Sequence, residues 1–323
     1  MANLEQIIEF LSKNASDPVQ KYIMAKEIHR ELPSSSNYKN TYAQIKSSKW
    51  YLELASEQRD DGSWGRFHSQ DSKIPKQKFV TTEAALRRAR ELSLSKDDPV
   101  VAKCIKLMER YVRGEEAWSD NIEKHKDGGK GHLRARLFIT AANINLFDPE
   151  NPVVKPRRDV FIKTLKIALS SGYFNEKAWE LENKNYSGPC LSGWNAYSLM
   201  ILQNTGCIED TLQRQYLDYI WHKKEGVYYI SSFPPSEKRN LENKDFVTWL
   251  SLLEILSGFS LFPEYMKKEA FSHLLREATR LIETDIELPA SNAISGHYAE
   301  SWRNGNSRKT DMILRIARIL VKC

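Results

Sequence analysis

Cysteine is scarce in this chain: there are four in 323 residues, and Cys104, Cys190, Cys207 and Cys323 show no close pairing. That usage argues against a disulfide framework and suits reduced thiols in a cytoplasmic protein. Long hydrophobic runs are missing too. No stretch approaches the roughly 20 apolar residues needed to cross a bilayer, and the opening MANLEQIIEFLSKN lacks the basic-then-apolar layout of a secretion signal. A strong charge of either sign is also lacking. The 48 basic and 42 acidic side chains leave +6, spread along the chain, which suits an anionic ligand and does not make a nucleic-acid footprint. Strand-like alternation is nearly absent, with Val227–Ser231 the one candidate.

Helical periodicity fills the space these absences leave. Apolar residues recur at three-and-four spacing in LEQIIEFL, TTEAALRRARELSL, VVAKCIKLMERYV, LRARLFITAANINLF, FVTWLSLLEIL and TDMILRIARIL, and in several segments between them. With a helix through Tyr42–Ala55, about twelve helices are predicted, and the protein is expected to be all-α. The connections alternate between two kinds. Short ones often carry proline, as in SKDDP and SLFPE, where the missing N–H is no loss in the first turn of the next helix. Long ones cover about 65–79, 114–130, 173–192, 225–244 and 286–307, and loops of that length tend to be functional. Gly62, Gly114, Gly172 and Gly226 mark the long loops at intervals of 52, 58 and 54 residues, and Gly296 lies in the last. A period of that size points to stacked helix pairs. Six pairs fit the length as one domain over 1–323, with the N-terminal helix (about 3–14) beside the C-terminal one (about 308–322).

Leu54, Gln58, Gly62 and Trp64 spell Leu-x3-Gln-x3-Gly-x-Trp. This resembles the "QW" repeat of the terpenoid cyclase and protein prenyltransferase superfamily. VRGEEAW, SSGYF and KKEGVYY keep the glycine and an aromatic residue without the glutamine. The resemblance implies an (α/α)6 toroid, an outer ring of helices around an inner one, in which such a motif fastens a helix end to the following turn. Gln58, Gly62 and Trp64 are therefore read as structural, and Asp60 and Asp61 as solvated turn residues. The superfamily's chemical motifs are absent. There is no Asp-x-Asp-Asp string, and no cysteine has an aspartate two residues before it, so neither a cyclase acid nor a prenyltransferase zinc site is expected. Neither a metal nor a cofactor is expected.

The long loops and the helix starts that follow them supply the candidate residues. His68 with Asp71 is a candidate acid/base pair, and Asp120 with Glu123 a candidate carboxylate pair. Glu83, Arg134, Trp194, Asn195, Asp245 and Trp249, at helix N-termini whose free N–H groups and partial positive charge suit an anionic group, are candidate ligand contacts, as are Tyr298 and Trp302 in the last long loop. The leading expectation is a protein that binds or transforms a hydrophobic, isoprenoid-type molecule in an aromatic-lined cavity. The alternatives are a carbohydrate-active (α/α)6 hydrolase or lyase and a non-catalytic binding scaffold.

Overall fold

The computed structural model describes residues 3–68, 77–118, 130–185, 187–284, 286, 288, 296–303 and 305–323. Among them the chain is all-helical. In chain order the helices are α1 (Leu4–Asn14), α2 (Pro18–Ile23), α3 (Ser36–Lys46), α4 (Lys49–Ser56), α5 (Thr82–Glu91), α6 (Pro99–Arg113), α7 (Lys130–Asn145), α8 (Lys155–Ala168), α9 (Glu176–Lys184), α10 (Ala196–Met200), α11 (Asp210–His222), α12 (Phe246–Leu256), α13 (Phe262–Tyr265), α14 (Phe271–Glu283) and α15 (Gly305–Leu320). A π-helical turn, Met24–Ile28, continues α2, and a second, Met266–Ala270, leads into α14. No described helix is long and apolar enough to cross a membrane. Val227–Ser231 is a turn rather than a strand, with an isolated bridge between Asn195 and Tyr228.

Local chemistry sets the helix ends. Helix α6 starts at Pro99 behind Asp98 and stops at Gly114, whose φ is 76°. The expected helix over 42–55 is broken in two because the Ser48 hydroxyl donates to the Ile45 carbonyl (2.6 Å) and accepts from the Tyr51 N–H. Ser48 thus closes α3 and caps α4. All five glycines singled out in the sequence, Gly62, Gly114, Gly172, Gly226 and Gly296, have positive φ. Gly62 is also pinned by space, since a Cβ there would sit 2.6 Å from the Lys103 carbonyl oxygen, whereas one at Gly114 would meet nothing within 4 Å.

The chain divides into two compact units. The first comprises residues 1–58, 84–95 and 263–323. In it α1 packs against α14 and α15, and α2 against α3, burying Ile7, Leu11, Ile23, Leu274, Leu281, Ile313 and Ile316 completely. Two carboxylates tie this unit together, Asp311 buried and Glu27 partly buried. Asp311 accepts from the N–H groups of Tyr298 and Ala299, from Trp302 Nε1 and from Gln20 Nε2. Glu27 takes both arms of the Arg318 guanidinium at 2.6 and 2.8 Å, and the Ser93 hydroxyl at 2.6 Å. The second unit comprises 59–83 and 96–262, so the first two residues of α5 belong to it. Here α6 packs on α7, α8 on α9, and α7 and α12 on α10.

Two predictions follow from this chemistry. Gly62→Ala is expected to cost clearly more stability than Gly114→Ala, because both impose a left-handed alanine, about 1–2 kcal/mol, and only Gly62 adds a backbone collision. Urea unfolding of the two variants checks this, and equal losses would contradict it. Burial raises the Glu27 carboxyl, but the Arg318 charge, the bonds from Arg318 and Ser93, and the Lys322 charge together bring it down to about 2. A folded-state value below the ordinary 4.5 means stabilisation that is present above pH 4.5 and lost as pH falls from 4.5 to 2, by up to about 3 kcal/mol. Glu27→Gln is therefore expected to be less stable at pH 6 and to show a flatter stability profile over that acid window.

Candidate functional site

The residues after Gly62 are laid along the start of α5 by three hydrogen bonds. Trp64 N–H donates to Thr82 Oγ1 (3.1 Å), Thr82 N–H to the Arg66 carbonyl (2.9 Å), and Glu83 N–H to the Phe67 carbonyl (3.1 Å). Trp64, fully buried, anchors the segment. This ladder carries His68 to the side chain of Glu83, fifteen residues away, with Nδ1 2.5 Å from Oε2.

Two further helices of the same unit complete the cluster. The Tyr197 hydroxyl, from α10, donates to Glu83 Oε2 at 3.1 Å and lies 3.2 Å from His68 Nδ1. Asn143, from α7, donates through Nδ2 to Glu83 Oε1 at 3.0 Å. One carboxylate, 11% exposed, thus accepts from three donors on three segments, while the His68 side chain is 25% exposed. Because an ionised carboxylate only accepts, this pairing favours the tautomer that carries its proton on Nδ1. A His–Glu–Tyr triangle held this way is the equipment of general acid–base chemistry.

Aromatic rings surround the triangle. Trp118 stacks on Phe67 with centroids 4.4 Å apart and lies 6.3 Å from the His68 ring, and its Nε1 donates to Thr140 Oγ1 of α7. Tyr229 lies 6.0 Å from His68 and 5.8 Å from Tyr197. Backbone bonds from Tyr228 N–H to the Trp194 carbonyl and from Ala196 N–H to the Tyr228 carbonyl hold this tyrosine pair at the start of α10. Tyr228 and Tyr229 are more than half exposed, and Tyr229 has a φ of 72°, a left-handed conformation costly for a bulky residue.

Of the residues proposed from sequence, the structure brings His68 and Glu83 together. Asp71, Asp120 and Glu123 lie outside the described residues. Asn195 caps α10, its side chain accepting from Tyr197 N–H at 2.8 Å. The Trp194 ring carries the Lys223 ammonium at 4.2 Å, and Lys223 also pairs with Glu176 at 2.8 Å. Asp245 precedes α12, and Trp249 is fully buried with its Nε1 on the Pro235 carbonyl. Arg134 lines a separate cleft with Arg157. Tyr298 and Trp302 belong to the other unit, in the Asp311 cluster. Asp61 accepts from Ser63 N–H within its own turn. Among the described residues no three His, Cys, Asp or Glu side chains converge as ligands for a metal ion.

Comparison of the chain with protein families, with characterised proteins and with solved structures finds no match.

The cluster predicts a specific energetic coupling. Tyr197→Phe removes one donor and is expected to cost about 0.5–1.5 kcal/mol, whereas Glu83→Ala strands several donors and should cost about 1–3 kcal/mol. The double variant should lose less than the sum, with a coupling of about 0.5 kcal/mol or more in chemical denaturation. Strict additivity would mean that the two side chains do not interact in solution.

Proposed function

We propose that the second unit is a general acid–base site acting on an acidic carbohydrate, by elimination rather than hydrolysis. The observation that carries this reading is the triangle of His68 Nδ1, Glu83 Oε2 and the Tyr197 hydroxyl, 2.5–3.2 Å on each side, beside the open rings of Tyr228 and Tyr229. Exposed aromatic plates present apolar faces on which the C–H face of a sugar ring can lie. Hydrolysis uses two carboxyl groups about 5–9.5 Å apart, while the described residues of this cluster bring one carboxylate together with a histidine and a tyrosine. In the proposed step His68 withdraws the proton from the carbon next to the sugar's carboxylate, and that C–H pair becomes the new C=C bond. The bond to the glycosidic oxygen on the neighbouring carbon breaks, and Tyr197 protonates the departing oxygen. Glu83 accepts from both groups and holds their positions.

The scaffold we infer is the α/α toroid that the Gln58–Trp64 motif resembles, in a cytoplasmic protein. Its support is the regular recurrence of left-handed glycines behind helix ends and the packing of α1 on α15. A second reading, an isoprenoid-type ligand, draws on the same resemblance and on the ring wall of Phe67, Trp118, Tyr197 and Tyr229, since aromatic faces stabilise carbocations.

The test is incubation with uronate-containing oligosaccharides, following formation of the unsaturated product, with farnesyl diphosphate as a parallel arm read by quenching of tryptophan fluorescence. The expected outcome is an unsaturated product whose rate falls at least about a hundredfold in His68→Ala and in Tyr197→Phe. Saturable quenching by farnesyl diphosphate with no product from any oligosaccharide would replace this reading by the second. Neither signal would leave a binding scaffold as the answer.

A further inference from the structure

Asn143 of α7 is buried, with 5% of its surface exposed. Its Nδ2 donates to Glu83 Oε1 at 3.0 Å and to the Ile139 carbonyl, four residues back, at 2.9 Å. A backbone carbonyl can only accept, so the amide nitrogen is the atom that meets it and the orientation of the side chain is fixed. Both of its N–H bonds are then committed. The amide oxygen is left over. No described residue donates to Asn143 Oδ1, and this oxygen still meets solvent although the side chain around it is buried.

We propose that Asn143 reads a hydroxyl group of the acidic sugar, the one on the carbon next to that from which the glycosidic oxygen leaves, and so determines which uronates the acid–base site accepts. The inference rests on the elimination reading given above. An amide oxygen accepts and cannot donate, so it selects a donor, and on a sugar that donor is a free hydroxyl. Glu83 determines which hydroxyl it is. The Tyr197 hydroxyl sits on Oε2 and the Asn143 amide on Oε1, so one carboxylate holds the two groups side by side. Groups held this way meet oxygens on neighbouring carbons of one ring. Tyr197 takes the departing oxygen. The carbon on one side of it gives its proton to His68 and carries the carboxylate, which leaves the hydroxyl on the other side for Asn143.

The arrangement suits recognition because it is fixed before the sugar arrives. The bonds to Glu83 and Ile139 restrain the Asn143 side chain, so little rotamer freedom remains to be lost on binding. A sugar that supplies the donor completes a buried polar group, whereas one that lacks it excludes water from the oxygen and offers nothing in return. The same amide orients the carboxylate through its nitrogen. Contact with the hydroxyl is therefore linked through one rigid group to the position of Glu83.

The test compares two uronate oligosaccharides, one with this hydroxyl free and one with it methylated, by following the unsaturated product formed by the full chain and its variants. The parent chain is expected to lose at least about tenfold in kcat/KM on the methyl ether. Asn143→Ala removes the acceptor and makes room for the methyl group, so the preference should shrink to within about twofold. Asn143→Leu, which fills the space without an acceptor, should do the same and serves where the alanine variant does not fold. Asn143→Asp keeps an oxygen acceptor and loses the donor to Glu83, so kcat should fall while the preference survives. A residue that only braced Glu83 would lower the rate on both substrates alike. Equal turnover of the two by the parent chain, or a preference kept in full by Asn143→Ala or Asn143→Leu, would therefore overturn the proposal and leave the elimination reading standing. Absence of product from both substrates with the parent chain would instead overturn the elimination reading, and this assignment with it.

Discussion

A carboxylate withdrawn from water has to find donors, and the candidate site is assembled by that requirement at Glu83. Its donors come from the segment after Gly62, from the middle of α7 and from the start of α10, so one group sets the register of three chain segments. The demand is directional, because each oxygen accepts along its lone pairs and the three donors cannot be permuted without loss. The aromatic rings are positioned as a by-product. Trp118 is placed by Thr140, on the same face of α7 as Asn143, and Tyr229 is placed by the backbone bridge at the start of the helix that carries Tyr197.

Much of the local architecture is legible in the sequence because it depends on single residues. Glycines that must adopt positive φ, a proline behind Asp98 and a tryptophan closing a helix end announce themselves without a partner. The candidate site is legible only in part. His68 and Glu83 are visible as titratable groups near a helix start, but the sequence pairs His68 with its near neighbour Asp71. The described structure joins it to Glu83, through a backbone ladder that no periodicity reveals. Asn143 gave no signal, since an asparagine inside an amphipathic helix reads as an ordinary polar position and its partner is 60 residues away. Tyr197 reads as one more aromatic residue in a first turn, and its hydroxyl acquires meaning only where it meets Glu83.

The two carboxylates that tie the first unit together show what kind of donor neutralises a charge. Asp311 accepts from two backbone N–H groups, an indole and an amide, yet burial still outweighs these donors and holds it up at about 6. Its ionised form is therefore disfavoured, and its contribution to stability declines as pH rises from 3.8 towards 6. Glu27, with a guanidinium across both oxygens, moves the other way to about 2. The neutral donors around Asp311 favour its ionisation by less than burial opposes it, whereas a full opposite charge in a two-point geometry overcomes the burial of Glu27. The first arrangement locates the loop around Tyr298–Trp302, and the second joins Glu27 to α15.

The first unit is drawn from three separated stretches, with residues 96–262 of the second lying between two of them. On a ribosome the chain emerges in order, so α1 must wait for α14 and α15 while the intervening helices are already available to one another. The second unit can therefore gather its own layers first, and the first unit closes late over contacts spanning nearly the whole chain. Premature termination anywhere before α15 would leave the apolar stripe of α1 uncovered, a sticky surface for chaperones and proteases to find.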